Sequence, residues 1–149
     1  MNKKRECGEC TLCCLILPII DTQSPPNTLC KHCTLSKGCG IYDTRPNNCR
    51  NYNCEWILSD DIPMDLKPNK SHMIFEKITH TIQLANLEHT HLDAWKEQNV
   101  LDYIQELNDK GISVIISSFT NTEKVIFPST GRSQSSVVSE AISELNNKQ

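Results

Sequence analysis

Apolar and polar positions along this chain change rhythm from one half to the other. Between residues 72 and 86, Ile74, Ile78, Ile82 and Leu84 recur on even positions, the alternation of strands with a buried face, with a turn expected near His80 and Thr81. The period then lengthens. From about Asp93 to Lys110, Trp95, Leu101, Ile104 and Leu107 outline one face of a helix, and Gly111 stands where a C-terminal cap belongs. Val114 to Phe119 and Lys124 to Phe127 read as the two strands of a hairpin joined by the polar turn Thr120 to Glu123. Ser135 to Leu145 reads as an amphipathic helix carrying Val138, Ala141, Ile142 and Leu145. A ββαββα order of this kind predicts an α+β fold, two helices packed on a mostly antiparallel sheet.

The first 58 residues follow neither rhythm, and their composition explains why. All nine cysteines of the 149-residue chain fall within residues 1 to 54. They open with Cys7, Cys10, Cys13 and Cys14, a C-x2-C-x2-C-C run, and continue with Cys30, Cys33, Cys39, Cys49 and Cys54. A two-residue gap lets a chain wrap one ion and present two thiolates to it. Cys7, Cys10, Cys30 and Cys33 together have zinc-site spacing, while Cys7, Cys10 and Cys13 match the start of a bacterial ferredoxin run without its fourth cysteine and proline. The spacing therefore speaks for metal and leaves zinc and iron-sulfur both open. We read residues 1–58 as a cysteine-rich, metal-stabilised region and 59–149 as an α+β region, in one compact domain, with residues 57–71 as the connection.

Adjacent cysteines constrain the geometry. Neighbouring side chains diverge on a helix or a strand, so Cys13 and Cys14 are not expected to serve one tetrahedral centre. If residues 7 to 17 are helical, Cys7, Cys10, Cys14 and Leu17 share a face; either two centres lie side by side or one thiol of the pair is packing. A disulfide scaffold is the competing explanation. The odd cysteine count and the lack of a secretion signal argue against it: Met1 to Arg5 is basic, but the apolar run Leu12 to Ile20 holds two cysteines and Pro18 and is too short to span a bilayer. A cytoplasmic location without membrane attachment is the expectation.

Charge separates the halves. Residues 1–58 carry seven Lys/Arg against five Asp/Glu, and residues 59–149 eight against thirteen. Tetrathiolate centres are net negative, so the basic residues near the cysteines read as local compensation more than as a polyanion surface. With an acidic pI of about 5.9 and no C2H2 spacing, nucleic acid is not an expected partner. Arg45 and Arg50 are candidates for hydrogen bonds to cluster sulfurs, with surface ion pairs as the alternative. Asp43 or Thr44 is expected to cap a short helix whose first turn holds Pro46 and which delivers Cys49, with Tyr52 and Trp56 packed beside it. His32 reads as a solvent-facing knuckle residue, and His89 and His91 as surface residues of a loop without a partner set. No phosphate loop, nucleophile elbow or dinucleotide fingerprint occurs.

Cys7 to Cys14, followed by Cys33-x-Leu35 and by the run from Gly38-Cys39-x-Ile41-Tyr42-Asp43-x-Arg45-Pro46 through Cys49-Arg50-x-Tyr52-x-Cys54-x-Trp56, closely resembles the YkgJ-like cysteine-cluster family, also described as the CxxCxxCC zinc- or iron-chelating domain. The resemblance covers about the first 58 residues. It implies a bacterial or archaeal protein and eight metal ligands, Cys7, Cys10, Cys13, Cys14, Cys33, Cys39, Cys49 and Cys54, with Cys30 an accessory ligand or free thiol. Members often carry an iron-sulfur oxidoreductase or flagellin-methylase label, the latter belonging to longer chains. Three classes of function follow: an iron-sulfur centre for redox or protein-modification chemistry, a structural zinc module that presents a surface to a protein partner, and a thiol-based metal store or sensor. The first is slightly favoured, so the expected cofactor is an iron-sulfur cluster ahead of zinc.

Overall fold

A computed structural model describes residues 4–120 and 123–148. Met1 to Lys3 of the basic start and Asn121 and Thr122 of the expected hairpin turn lie outside the described residues. The fold is α+β. Its cysteine-rich part holds α1 (Leu12–Ile16), the small hairpin β1 (Cys33–Thr34) and β2 (Gly38–Cys39), α2 (Asn47–Asn51) and α3 (Glu55–Leu58). After α4 (Pro68–Ser71) come β3 (Met73–Thr79), β4 (Ile82–Leu87), α5 (Gln98–Asp109), β5 (Ser113–Ser117), β6 (Val125–Phe127) and α6 (Gln134–Asn147).

The large sheet has the order β3-β4-β5-β6. β3 and β4 form the expected hairpin, as do β5 and β6, which pair Val114 with Phe127. β4 and β5 run parallel, from Ile82 beside Ser113 to Asn86 beside Ser117, so the sheet is mixed. The parallel pairing follows from α5, since a connection that crosses over through a helix returns the chain in its original direction.

The even-numbered Ile78 and Ile82 join Ile115, Val137 and Ala141 in one apolar cluster under α6. The odd-numbered Met73, Phe75, Ala85 and Leu87 are buried as well, in the larger cluster with Val114, Ile116 and α5. Both faces of the sheet are therefore covered, which a single alternating pattern does not reveal. Phe75 meets Tyr103 of α5 edge to face at 5.4 Å.

Several boundaries differ from expectation. Glu97 is extended, so α5 begins at Gln98, and Trp95 lies in a separate 3-10 turn against Phe127. The buried face of α5 is Val100, Tyr103, Ile104 and Leu107. Its end is as expected: Gly111 has φ +81°, its N–H donates to Asn108 O, and Ile112 N–H donates to Leu107 O, a Schellman closure. α6 is capped by Ser133, whose hydroxyl accepts from Ser136 N–H, and buries Val137 and Ala141, while Ile142 and Leu145 remain exposed. The connection 57–71 is not a mere linker, because Ile62 and Leu66 are wholly buried in the core. That core also takes in Leu12, Ile16, Cys54 and Trp56, so the cysteine-rich part and the sheet share one apolar cluster.

Candidate metal centre

Five stretches of chain bring the cysteines together. Cys7 and Cys10 lie on a turn, with Cys10 N–H donating to Cys7 O, and the helix of this region begins only at Leu12. Cys13 and Cys14 are consecutive residues of α1. Cys30 N–H donates to Cys14 O and Cys33 N–H to Cys30 O, which docks the second C-x2-C knuckle against α1. Cys33 and Cys39 face each other across β1 and β2. Cys49 sits in the middle of α2, and Cys54 occupies the N-cap position of α3.

Close backbone approach seats these stretches on one another. Gly38 has φ +114°, and a methyl group built on it would stand 2.9 Å from the carbonyl oxygen of Gly8. Only a residue without a side chain lets β2 lie so close to the Cys7 turn. On the far side, Asp21 and Asn48 exchange two hydrogen bonds, Asp21 N–H to Asn48 Oδ1 and Asn48 N–H to Asp21 Oδ2. The Asp21 carboxylate thereby satisfies an otherwise open N–H in the first turn of α2. Pro46 stands at the N-cap position of that helix, and neither Asp43 nor Thr44 caps it through a side chain.

All nine cysteines line one cavity of about 220 Å³, together with Tyr42, Arg45, Tyr52 and His32. His32 is thus part of the wall and half-buried. A smaller adjoining cavity is lined by Cys7, Cys10, Cys13 and Cys54 with Lys67 and Trp56. Cys30 and Cys54 are buried and the other seven half-buried. The sulfurs of Cys13 and Cys14 stand 3.9 Å apart, so the divergence expected of neighbouring positions does not hold here. Among the described residues no three of the nine thiols have all their sulfurs within 4.8 Å of one another.

Crowding holds the protons on. Burial and the neighbouring Cys54, Cys10 and Cys14 push the Cys7 thiol up to about 11, against a pull from Arg45. Cys14 is raised by its hydrogen bond with Cys13 and by burial, Cys33 by burial and Cys14, and Cys10, Cys49 and Cys54 chiefly by burial. Cys30 differs. Burial would raise it, but hydrogen bonds from the His32 backbone and the Thr22 and Ser24 hydroxyls outweigh that and lower it. A set of crowded thiols of this kind ionises most readily when a cation compensates the charge.

Arg45 and Arg50 part company. Arg45 stacks over Tyr42 with its guanidinium carbon 3.8 Å from the ring centre, and its Nε is buried without a hydrogen-bond partner. Arg50 is exposed and donates to Arg45 O. Neither forms a salt bridge among the described residues. Tyr52 lines the cavity, and its hydroxyl, near Cys13 and Cys54, donates to Glu76 Oε1 at 2.8 Å. Trp56 is buried between two cations, Arg5 at 4.8 Å and Lys67 at 5.2 Å from its ring centre.

Lys67, whose charge favours the Cys10 thiolate, was not among the candidates, and nothing in its sequence surroundings marks it. Nor were Thr22 and Ser24. His91, expected to be a loop residue without partners, has both a histidine and a carboxylate against it: His72 stacks on it, and Glu88 reaches both rings.

Nine thiols gathered around one cavity are compatible with metal binding, and soft sulfur donors suit zinc and iron-sulfur centres. Comparison of the chain with protein-family models, with curated proteins and with solved structures finds no match.

Proposed function

We propose that this protein holds a thiolate-bound metal centre, an iron-sulfur centre ahead of zinc, with Cys7, Cys10, Cys13, Cys14, Cys33, Cys39, Cys49 and Cys54 as ligands. The observation that carries the reading is the convergence of nine thiols from five stretches of chain on one cavity of about 220 Å³. Disulfides are absent from it, all nine cysteines being free. The resemblance of residues 1–58 to the YkgJ-like family supports the same ligand set, and we propose membership of that family.

The small preference for a cluster rests on the C-x2-C-x2-C run and on the family resemblance, and the thiols suit either metal. The adjoining cavities suggest two neighbouring sets, Cys7, Cys10, Cys13 and Cys54 on the Trp56 side and Cys14, Cys33, Cys39 and Cys49 on the Tyr42 side.

The chain's own residues would act on such a centre through charge and hydrogen bonds. Arg45 offers a buried Nε–H with no protein acceptor, which a thiolate sulfur would satisfy. Lys67 lowers the cost of ionising Cys10. When bound, an iron-sulfur group supplies one-electron redox capacity, and zinc would supply folding stability alone. Zinc is the second reading, favoured by the single pair Cys13 and Cys14, whose 3.9 Å separation matches a tetrahedral edge.

The test is purification without oxygen, followed by metal and sulfide analysis and an absorption spectrum. A brown protein with iron and acid-labile sulfide supports the cluster. A colourless protein with stoichiometric zinc replaces it with the structural zinc reading. Reduced protein that, after chelator dialysis, takes up neither zinc nor iron and sulfide on reconstitution overturns both.

A further inference from the structure

We propose that His72, Glu88 and His91 form a second metal site, distinct from the thiols, that takes a divalent transition-metal ion through two imidazole nitrogens and one carboxylate oxygen. Their donor atoms all lie within 4.8 Å of one another. Glu88 Oε2 stands 2.7 Å from His72 Nδ1 and 3.4 Å from His91 Nδ1. Metal bonds of about 2.0–2.2 Å place neighbouring ligand atoms about 2.9 Å apart at a right angle and about 3.4 Å apart at the tetrahedral angle. The two separations observed lie close to that range. The imidazole rings stack in parallel at 3.6 Å with both Nδ1 atoms on the same carboxylate; because a metal lies in the plane of each ring it bonds, one of the two solvent-bordering rings turns out of the stack when the ion enters.

Backbone geometry builds the trio. His72 ends α4 in the left-handed conformation, with φ 59° and ψ 28°, and its carbonyl accepts from Glu88 N–H at 2.9 Å. The Met73 to Leu87 pairing of β3 with β4 makes residue 88 the natural neighbour of residue 72. Glu88 O in turn accepts from His91 N–H at 2.9 Å, closing the turn that carries the second imidazole back over the first. The Thr90 hydroxyl lies 3.2 Å from Glu88 Oε1 and 3.0 Å from His91 Nδ1, a polar partner just outside the trio.

Donor type and exposure define what would bind. Two imidazoles with one carboxylate suit zinc, iron(II) and their neighbours, and leave coordination positions for water or a small ligand. The Glu88 side chain is 14% exposed and those of His72 and His91 are 36% and 45% exposed, so the carboxylate anchors the site from within and the rings border solvent. The two sites also share a support. The backbone of Asn69 in α4 hydrogen-bonds the Cys10 sulfur, and His72 caps the same short helix.

The experiment adds zinc ions alone to the 149-residue protein as isolated and follows the imidazole signals by NMR. The expected result is a saturable shift of the His72 and His91 resonances. Glu88→Gln and His91→Ala weaken it by roughly tenfold or more, and His89→Ala leaves it unchanged. His72→Asn gives the same loss with the left-handed backbone retained, since asparagine tolerates that conformation. No shift of the two rings at millimolar zinc, or equal affinity in wild type and all three trio variants, overturns the proposal. Equal weakening by His89→Ala also overturns the assignment to this trio. Because imidazoles report the binding, the result is readable whatever the thiols hold.

Discussion

The sulfurs of Cys13 and Cys14 stand 3.9 Å apart although the two residues are consecutive on α1. Neighbouring positions on a helix ordinarily diverge, so this approach is a feature of the packed site and not of helical spacing. Both thiols line the larger cavity, and Cys13 alone of the two also lines the smaller one with Cys7, Cys10 and Cys54. If the pair joins two neighbouring sets, losses from Cys13→Ser and Cys14→Ser will not add. Metal content of the two single variants and the double variant measures this, and fully additive losses would show two independent sites.

Ligand assignment predicts a hierarchy among the other cysteines. Cys10→Ser and Cys39→Ser should lose metal and unfold the first half, whereas Cys30→Ser should be mild. The thiol of Cys30 has other company, Thr22 Oγ1 at 3.7 Å. Elemental analysis with circular dichroism checks the order, and equal metal loss in all three variants would refute it.

Stability of the metal-free protein should depend on alkaline pH with a definite sign. The Cys7 thiol is raised from an ordinary 9.0 to about 11, chiefly by burial. A group that holds its proton more tightly when folded favours the fold below its ordinary value, and that contribution disappears as pH rises through the raised one. Urea midpoints of metal-free protein should therefore fall between pH 9 and 11, the interval set by Cys7. Metal-loaded protein, whose ligating thiols have already surrendered their protons, should not show the fall. Metal uptake should release protons and weaken as pH drops.

Arg5 closes the amino end over α3. Its side chain is 8% exposed, donates to the carbonyls of Trp56, Ser59, Asp60 and Ile62, and stacks on the Trp56 ring. Arg5→Ala takes the donor from three part-buried carbonyls and one exposed carbonyl and should cost about 1–3 kcal/mol in chemical denaturation. Arg5→Lys should recover little, since one ammonium cannot reproduce the planar fork.

Gly38→Ala should weaken the seating of β2 on the Cys7 turn. The methyl group meets Gly8 O at 2.9 Å, and the positive φ adds strain of about 1 kcal/mol or more. Reduced metal retention in the folded variant, measured by competition with a chelator, is the expected outcome, and unchanged retention would show that this contact does not position the thiols.

Local rules made much of the second half legible. Ile78, Ile82 and Leu84 pack under α6 as their even positions suggest, although Ile74 joins the other cluster and the register shifts between Lys77 and Thr79, and Gly111 ends α5 because only the left-handed region closes the Schellman bonds there. Those rules need only neighbouring residues. The buried face of α6 escaped them: Val137 and Ala141 are inward instead of Val138 and Ile142, since both choices are apolar and the sheet selects between them. The parallel β4 and β5 pairing was missed for the same reason. Strand patterns do not state direction, and the crossover through α5 does.

By itself the sequence determined the chemistry on offer: nine soft donors, grouped at intervals that a short turn or helix can present to metal. Tertiary structure alone decided their company. Lys67 reaches Cys10, Arg45 keeps a buried donor unsatisfied beside the thiols, and His72 meets Glu88 and His91, all across gaps that no local period spans. The physical reason is range. Periodicity and capping act over a few residues, whereas burial, charge and coordination depend on distances in space that exist only once the chain has packed.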